Sequence, residues 1–267
     1  MNKVGAGPKD KGNLPARAGC RREKLPPHSL PPLLPPTALL LSALARCRPA
    51  PVLPVDLNGP EVARLDFSAQ NPLLAQADLR DTAAFTALVA GLLRAQNARI
   101  GVGGYLEDRV IYRRSPGLFG AGQAPRTLHL GVDVWLPAGT PVRAPLPARV
   151  HSRADNAGFG NYGPTVILEH ELEGITFYSL YGHLARPAGV GEELRPGQPI
   201  AQGETLAAVG PPPENGDWPP HLHFQLITDM QGRQGDFPGV APLGERKIWA
   251  ALCPDPNLLL RSRHLDH

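Results

Sequence analysis

The spacing of apolar residues divides the chain into a helical segment and a long series of short strands. After Asp81, apolar side chains recur at intervals of three and four residues: Phe85, Leu88, Val89, Leu92 and Leu93. This period predicts an amphipathic helix that begins after Asp81 as N-cap, runs to about Asn97 and packs on the rest of the domain. Residues 99–114 are predicted to form strands. There Tyr105, Glu107 and Arg109 share one face, which is interpreted as exposed, with a position beside a groove as the alternative.

From Pro141 onward the pattern is typical of an all-β protein. Short β-branched or apolar runs are separated by turns that contain glycine and proline. The predicted strands are 142–152, 165–171, 175–184, 198–209 and 221–228. Strands of this length and spacing indicate an antiparallel β-sandwich or a small barrel, so the predicted fold is mainly β with an N-terminal helix. His151 and His170 lie in two of these strands and are interpreted as surface or edge residues.

Composition and charge narrow the classes of protein. A chain of 267 residues with 42% hydrophobic content is ordinary for a soluble protein with one main domain and appendages. The formal net charge of +3 is too small to indicate a nucleic-acid partner, and the sequence does not determine an oligomeric state. Cys20, Cys47 and Cys253 form no close pair and no metal-ligand spacing, so neither a disulfide framework nor redox activity is predicted.

The first 55 residues differ from the rest of the chain because they are rich in proline and basic residues. They are predicted to be a disordered tail or an export segment. The uninterrupted apolar run, residues 38–45, is too short to form a stable membrane span. The compartment is therefore left open: the cell envelope, the periplasm or secretion if this segment is an export signal, and the cytoplasm otherwise.

Three short segments carry candidate metal ligands and free imidazoles. They are His129-Leu130-Gly131-Val132-Asp133, Tyr181-Gly182-His183-Leu184 and His221-Leu222-His223-Phe224. Two imidazoles and one carboxylate bind Zn²⁺ with a fourth position left open, which is the arrangement of catalytic rather than structural zinc. The three segments therefore indicate metal-assisted hydrolysis.

Backbone geometry limits how the first segment can bind an ion. A straight strand from His129 to Asp133 would span about 13 Å, which is too far for two ligands of one metal. The segment therefore needs a bend, and Gly131 is the predicted position of that bend, leading into a strand from Val132.

The other two segments are predicted to bring histidines together on adjacent strands. Alternate residues of a strand share a face, so His221 and His223 should project side by side. One of them can bind the metal while the other stays free. His183 follows another apolar run and can reach the same place as a second free imidazole.

With these motifs, residues 126–229 resemble the M23 peptidases, the lysostaphin-like zinc endopeptidases that cut peptide bonds in bacterial cell-wall peptidoglycan. The resemblance rests on the patterns His-x-Gly-x-Asp, Tyr-x-His-Leu and His-Leu-His-Phe, and on Pro137-Ala138-Gly139-Thr140-Pro141-Val142 and Pro196-Gly197-Gln198. It implies a peptidase core of the barrel-sandwich hybrid type over residues 126–230. Residues 56–125 are then predicted to pack on this core, and residues 231–267 to form a C-terminal extension.

The resemblance also implies a ligand set and two catalytic residues. One zinc ion per chain would be bound by His129, Asp133 and His223, with His183 and His221 as the catalytic histidines. His221 is the predicted general base because it neighbours the ligand His223, and His183 is the predicted donor to the developing oxyanion. The two roles can be exchanged without any conflict with the sequence.

The approach to the third segment departs from the pattern of many M23 peptidases, in which a short run of serine or threonine and glycine precedes it. Here the loop of residues 211–220 is proline-rich, and it is predicted to form a wall of the substrate groove. The predicted substrate contacts are Trp218, Asn215 and Tyr181, with packing of the loop as the alternative role of Trp218. The substrate is expected to be peptidoglycan or another peptide, and the scissile bond is left open.

Two other functions compete with peptide hydrolysis. A lipoyl or biotin carrier needs a lysine at a hairpin tip, and residues 25–246 contain none, which removes that possibility. The second competitor is an M23-like module without activity that binds peptidoglycan or regulates a partner enzyme. The complete set of expected ligands and catalytic histidines favours catalysis over this alternative. An M23-type hydrolase that acts on a peptide outside the cell wall is a further alternative.

Overall fold

An eight-stranded sheet forms the centre of the computed structural model, which describes residues 1, 35–120, 124–187 and 194–266. The strands of these residues are β1 (Val62–Arg64), β2 (Ile100–Gly103), β3 (Arg126–His129), β4 (Val132–Trp135), β5 (Pro141–Arg143), β6 (Ala148–Asn156), β7 (Gly163–Leu172), β8 (Ile175–Gly182), β9 (Pro199–Ile200), β10 (Thr205–Ala208), β11 (His221–Ile227) and β12 (Val240–Pro242). Their α-helices are α1 (Pro35–Arg46), α2 (Leu73–Gln76), α3 (Thr82–Ala95), α4 (Pro116–Phe119), α5 (Arg246–Leu252) and α6 (Asn257–Leu260). The prediction of a mainly β fold is confirmed.

The large sheet is mixed and has the strand order β1-β2-β4-β11-β8-β7-β6-β9. β1 and β2 are parallel, and every other neighbouring pair in it is antiparallel. Strands β5 and β10 form a second sheet, and β3 and β12 form a third. No pairing among the described strands closes the large sheet into a barrel. Its middle strands β4, β11 and β8 carry or directly precede most of the predicted site residues.

The predicted helix corresponds to α3. The Asp81 side chain caps it by accepting a hydrogen bond from the backbone N–H of Ala84 at 3.0 Å. Phe85 and Val89 are buried on its inner face, as the apolar period predicts. The helix ends at Ala95, two residues before the predicted end. Start, type and packing face of this element are therefore confirmed.

The strands predicted for residues 99–114 are only partly present. β2 covers the first part, but Leu106 adopts a left-handed conformation with φ of 53°, which an extended strand does not accommodate. Residues 111–114 form a 3₁₀ turn instead of a strand. The chain thereby turns Arg109 into the interior, where its side chain has no exposed surface, so the prediction of an exposed strand face is wrong for Arg109.

Two predicted strands are each divided in the structure. The predicted strand 142–152 is interrupted between β5 and β6, where Pro145 and Pro147 remove backbone donors from the ladder. The predicted strand 198–209 is interrupted by a turn between β9 and β10. Short β elements are therefore present at these positions, with different boundaries.

Residues 35–55 differ from the predicted disordered segment. Helix α1 buries Leu40 and Leu44 in the main hydrophobic core, where Val52 and Leu53 join them. Arg261 Nη2 donates to the carbonyl groups of Leu44, Ala45 and Cys47 at 2.8 to 3.3 Å, and so satisfies backbone acceptors at the end of the helix. Apolar burial and this capping arginine explain why a proline-rich sequence is ordered here.

The rest of the N-terminal prediction concerns residues 1–34, of which only Met1 lies among the described residues. The described residues from Pro35 onward belong to one compact unit. None of the helices in the described part of the chain is long and apolar enough to cross a membrane.

His170 is buried, so its interpretation as a surface or edge residue is wrong. It is 1% exposed, with Nδ1 3.0 Å from the Pro147 carbonyl oxygen and Nε2 2.7 Å from Ser179 Oγ. Its ring also stacks on Phe177. Burial lowers the pKa of His170 to about 4, which means that the folded protein holds this imidazole neutral.

We expect this histidine to make the protein less stable in acid. Between its ordinary pKa of about 6.5 and its folded value, the unfolded chain binds the proton more strongly, so the unfolding free energy falls as the pH falls. The shift corresponds to about 3 kcal/mol across this window. Urea unfolding of the native protein and of His170→Gln at pH 7, 5.5 and 4 measures it. The variant should lose less stability in acid, and parallel curves for the two proteins would contradict the expectation.

Candidate active site and metal centre

Three buried side chains converge in the middle of the large sheet. Asp133 on β4 lies directly opposite His223 on β11, and His129 is the last residue of β3, just before the bend at Gly131. The ligand atoms lie close to one another: His223 Nδ1 is 3.0 Å from Asp133 Oδ1 and 3.0 Å from His129 Nε2, and His129 Nε2 is 3.2 Å from Asp133 Oδ1. Two imidazoles and a carboxylate thus form a candidate metal site, in which the three donor atoms make a ligand triangle.

Neighbouring acceptors fix which nitrogen of each ligand histidine faces this site. His129 Nδ1 lies 3.2 Å from the Gly104 carbonyl oxygen, and His223 Nε2 lies 2.9 Å from Gln225 Oε1. Gln225 is oriented by its amide nitrogen, which donates to the Pro238 carbonyl at 3.1 Å. Because oxygen acceptors need a donor, the opposite nitrogens, His129 Nε2 and His223 Nδ1, carry free lone pairs toward the site.

The spacing of the three donor atoms fits one small divalent ion. Ligands bound at about 2.0 to 2.1 Å in a tetrahedron lie about 3.3 Å apart, close to the three separations in this triangle. With no ion present, two imidazoles and a carboxylate in contact would need a proton to be shared among them. Burial, followed by the charge of Arg109, lowers the pKa of His129 to about 3, which disfavours that proton on His129. The donor set is therefore suited to a cation.

His183 and His221 lie beside this triangle, at the ends of adjacent strands. His183 follows β8, whose partner β11 begins at His221. The two ring centroids are 4.2 Å apart, and His221 Nε2 lies 3.9 Å from Asp133 Oδ1. The structure thus brings together all five histidine and aspartate residues of the predicted site.

The backbone of His183 is held in an uncommon conformation. Its φ of 62° lies in the left-handed region, which non-glycine residues seldom adopt. Its N–H donates to the Tyr162 carbonyl, and its own carbonyl accepts from the N–H of Gly210, both at 2.8 Å. Residues held in this way are concentrated at functional sites.

Carbonyl groups also set the tautomers of these two histidines. His183 Nδ1 lies 2.8 Å from the Asn215 carbonyl oxygen, and His221 Nδ1 lies 2.7 Å from that of Pro219. Each Nδ1 therefore donates, and in the neutral ring each Nε2 is an acceptor. Burial, then the neighbouring His221, holds the pKa of His183 well below its ordinary value, and burial lowers that of His221. Both imidazoles are therefore held neutral, with the lone pair on Nε2.

Arg109 contacts the candidate metal site directly, and the sequence did not indicate this. Its Nη1 donates to Asp133 Oδ2, and its Nε donates to Glu107 Oε2 at 2.7 Å. Burial would raise the pKa of Asp133, but the adjacent Arg109 guanidinium outweighs burial and holds this pKa well below the usual range. Asp133 is thus kept as a carboxylate, the form that binds metals.

Two of the three predicted substrate residues are enclosed by protein. Tyr181 has no exposed surface, and its hydroxyl lies 3.0 Å from Ser179 Oγ within the core, so its assignment to substrate binding is wrong. The Asn215 side chain is also fully buried. It donates to the carbonyl groups of Gly210 and Trp218, and its role is to hold the loop and present its own carbonyl to His183.

Trp218 packs the loop and also borders the site. Its indole N–H donates to the Asn161 carbonyl at 3.1 Å, and the Arg114 guanidinium lies 4.5 Å from its ring. The packing role is therefore present. Trp218 is also one wall of a cavity of about 340 Å³ that reaches His183 and His223. Tyr162, Arg126 and Arg233 line the same cavity, so the candidate site opens into a space with aromatic and basic walls.

A comparison with protein-family models identifies the family that the site-bearing residues match. Residues 127–235, which contain every member of the triangle and both neighbouring histidines, match the family model for peptidase family M23. These residues are an M23 peptidase domain. The three histidine motifs on which the resemblance rested all lie within these residues.

The M23 domain also has individual relatives. The DD-carboxypeptidase/endopeptidase Mpg of Neisseria meningitidis is 30% identical over 134 residues, which are 48% of this chain and 28% of that protein. The chain therefore spans less than a third of the length of this relative. Among solved structures, a peptidase M23 from Pseudomonas aeruginosa is 24% identical, with a TM-score of 0.33 over 52% of this chain and 48% of that chain. A zinc-containing peptidase from Vibrio cholerae is 23% identical, with a TM-score of 0.29 over 38% of this chain and 27% of that chain.

Proposed function

We propose that the protein is a zinc metalloendopeptidase that hydrolyses peptide bonds in bacterial peptidoglycan, in cross-links or stem peptides. The observation that carries the proposal is the buried triangle of His129, Asp133 and His223 with two further imidazoles, His183 and His221, beside it. Three protein ligands leave a position for water or substrate, as in catalytic zinc sites.

Zinc at such a site would activate a water molecule and polarise the scissile carbonyl group. The residues of the chain then have separate tasks. His129, Asp133 and His223 would hold the ion. His221 would act as general base through Nε2, because its Nδ1 is committed to the Pro219 carbonyl and its Nε2 lies 3.9 Å from the ligand Asp133.

His183 would act on the other side of the reacting carbonyl. Its Nδ1 is committed to the Asn215 carbonyl, so donation from Nε2 to an oxyanion requires the protonated ring. The lowered pKa of His183 opposes that form in the resting protein. His183 would reach its protonated form by taking up a proton during the reaction, as negative charge develops on the substrate. The exchange of roles between His183 and His221 stays a second version of the same proposal.

The cavity beside the site supports a peptide substrate. Its aromatic wall of Trp218, Tyr162 and Phe237 can contact side chains or backbone of a peptide, and it ends at His183 and His223. The Neisseria relative is named an endopeptidase and DD-carboxypeptidase, which supports cleavage of peptide bonds in the same chemical class. If the substrate is peptidoglycan, the site of action would be the cell envelope.

The test combines metal analysis with hydrolysis. The full chain is purified, its zinc content is measured, and it is incubated with purified peptidoglycan with and without a chelator, while new amino groups and fragment masses are followed. We expect about one zinc per chain and fragments that the chelator prevents. Asp133→Ala should lose both zinc and activity, since it removes the one carboxylate ligand. Zinc without cleavage would favour another peptide substrate or a binding role, and a chain without zinc would overturn the proposal.

A further inference from the structure

Arg109 is a buried cation beside a site proposed to bind a divalent cation. Its side chain has no exposed surface, and it donates to one oxygen of Asp133, namely Oδ2. The other oxygen, Oδ1, faces the two ligand nitrogens at 3.0 and 3.2 Å. The two oxygens of this carboxylate therefore have different partners, one an arginine and the other the candidate metal site.

The position of the guanidinium group is fixed on several sides. Its Nε donates to Glu107 Oε2 at 2.7 Å, and Glu107 Oε1 accepts from the backbone N–H of Phe67 at 3.4 Å. Its Cζ lies 5.6 Å from the centre of the Phe67 ring and 5.5 Å from that of Trp135. A planar fork held between aromatic rings and a carboxylate has one orientation, which a lysine ammonium group does not reproduce.

The same aromatic ring connects Arg109 with a proposed catalytic histidine. Trp135 stacks on His221, with ring centroids 5.6 Å apart and an angle of 20° between the planes. Arg109 thus contacts a proposed ligand directly and lies one ring away from the proposed base. Its Nη2 has no hydrogen-bond partner, so the burial of this cation is not fully compensated by its contacts.

Resting on the proposed function for the identity of the metal, we propose that Arg109 is a positioning residue that makes Asp133 a one-oxygen ligand. By occupying Oδ2, it keeps the carboxylate from turning both oxygens toward the ion. A two-oxygen aspartate would fill the coordination position that a catalytic zinc site keeps open for water. Mutation of a residue that hydrogen-bonds to a metal ligand, without binding the metal itself, typically changes metal affinity or activity by about 10- to 100-fold.

Arg109 could act on the site through its positive charge alone or by positioning Asp133. These two roles predict different outcomes, which two substitutions distinguish. Arg109→Lys keeps the positive charge and loses the fork, whereas Arg109→Gln loses both. If Arg109 acts only through its charge, the lysine variant behaves like the native protein, and the glutamine variant binds zinc more tightly because a repulsive charge is gone. If Arg109 positions Asp133, the lysine variant already differs from the native protein.

The experiment measures the zinc dissociation constant of the full chain by competition with a chromophoric chelator, and the visible absorption of the cobalt-loaded protein. For Arg109→Lys we expect about a 10-fold or greater rise in the dissociation constant. We also expect weaker cobalt absorption bands, because a second aspartate oxygen raises the coordination number. Arg261→Lys is the matched control, since Arg261 hydrogen-bonds the end of α1 and contacts no member of the metal site. Arg261→Lys should lower the melting temperature and leave the zinc dissociation constant and the cobalt absorption unchanged.

A folding defect is distinguishable from a positioning effect. The double variant Glu107→Gln/Arg109→Gln removes the salt-bridge partner together with the arginine, so no carboxylate at residue 107 is left unpaired. If this variant and Arg109→Lys are folded by circular dichroism and retain native zinc affinity and cobalt spectra, the positioning role is overturned. A native chain that binds no zinc overturns the metal proposal as well. Zinc binding without peptidoglycan cleavage contradicts only the proposed substrate.

Discussion

Gly131→Ala is expected to weaken zinc binding by at least about 100-fold and to abolish zinc-dependent hydrolysis. A methyl group at this position would lie 2.6 Å from Cε1 and 2.7 Å from Nε2 of His223, and 2.7 Å from the Phe224 carbonyl oxygen. The carbonyl belongs to β11, which is paired on both sides, so it cannot move away. His223 would have to shift, and metal–ligand distances tolerate only about 0.2 Å of error.

Gly117→Ala is the matched control for this change. Its added methyl group would have no heavy atom within 4 Å, and the residue lies in helix α4, where alanine is favoured over glycine. The zinc dissociation constant and melting temperature of both variants are measured beside the native protein. Overpacking typically costs about 1 to 3 kcal/mol, so Gly131→Ala should also melt earlier. Native zinc affinity in Gly131→Ala would show that His223 accommodates the methyl group, against our account of this bend.

The bend at Gly131 also shows what the sequence could predict about the site. The sequence required a bend because a straight strand would separate His129 and Asp133 too far for a shared ion. It placed the bend at glycine for conformational reasons. The structure adds a second reason, which is the close approach of His223 from the neighbouring strand. Similarly, strand alternation correctly placed His221 and His223 on one face of β11. Local periodicity was sufficient for these elements because each depends on a few adjacent residues.

Contacts between distant segments could not be predicted in this way. Arg109 reaches Asp133 only because Leu106 turns the chain inward, and no period or motif in residues 99–114 signals that turn. Tyr181 precedes the motif histidine His183 by two residues and was assigned to the groove. Because the backbone of His183 is left-handed, the side chains of Tyr181 and His183 point in different directions, and Tyr181 faces the core.

Gln225 is a residue that the pattern could have revealed. It continues the alternation of His221 and His223 on β11, and it fixes the tautomer of His223. The order of residues 35–55 was not predictable from composition, because it depends on burial of Leu40 and Leu44 and on a distant arginine, Arg261. The sequence therefore predicts well the parts of the site that one strand carries, and less well those that tertiary contacts assemble.

Replacing His221 with asparagine is expected to lower kcat by about 10²- to 10⁴-fold while about one zinc per chain is retained. An asparagine amide can still donate to the Pro219 carbonyl, as Nδ1 does now at 2.7 Å, but it has no group in the place of Nε2. The ligand triangle of His129, Asp133 and His223 keeps all its donor atoms. The variant therefore removes a proton acceptor without removing a ligand, which is the difference between the proposed base and a structural histidine.

His183→Asn is the matched variant, because its amide can likewise keep the bond to the Asn215 carbonyl. Loss of a donor to the oxyanion typically costs about 10²- to 10³-fold in kcat. Zinc content, kcat and KM are measured for both single variants and for the double variant. Two residues that serve the same step should give a double variant little worse than the poorer single one. Full activity in His221→Asn would exclude it as the base and leave His183, the only other free imidazole beside the triangle among the described residues, to accept the proton.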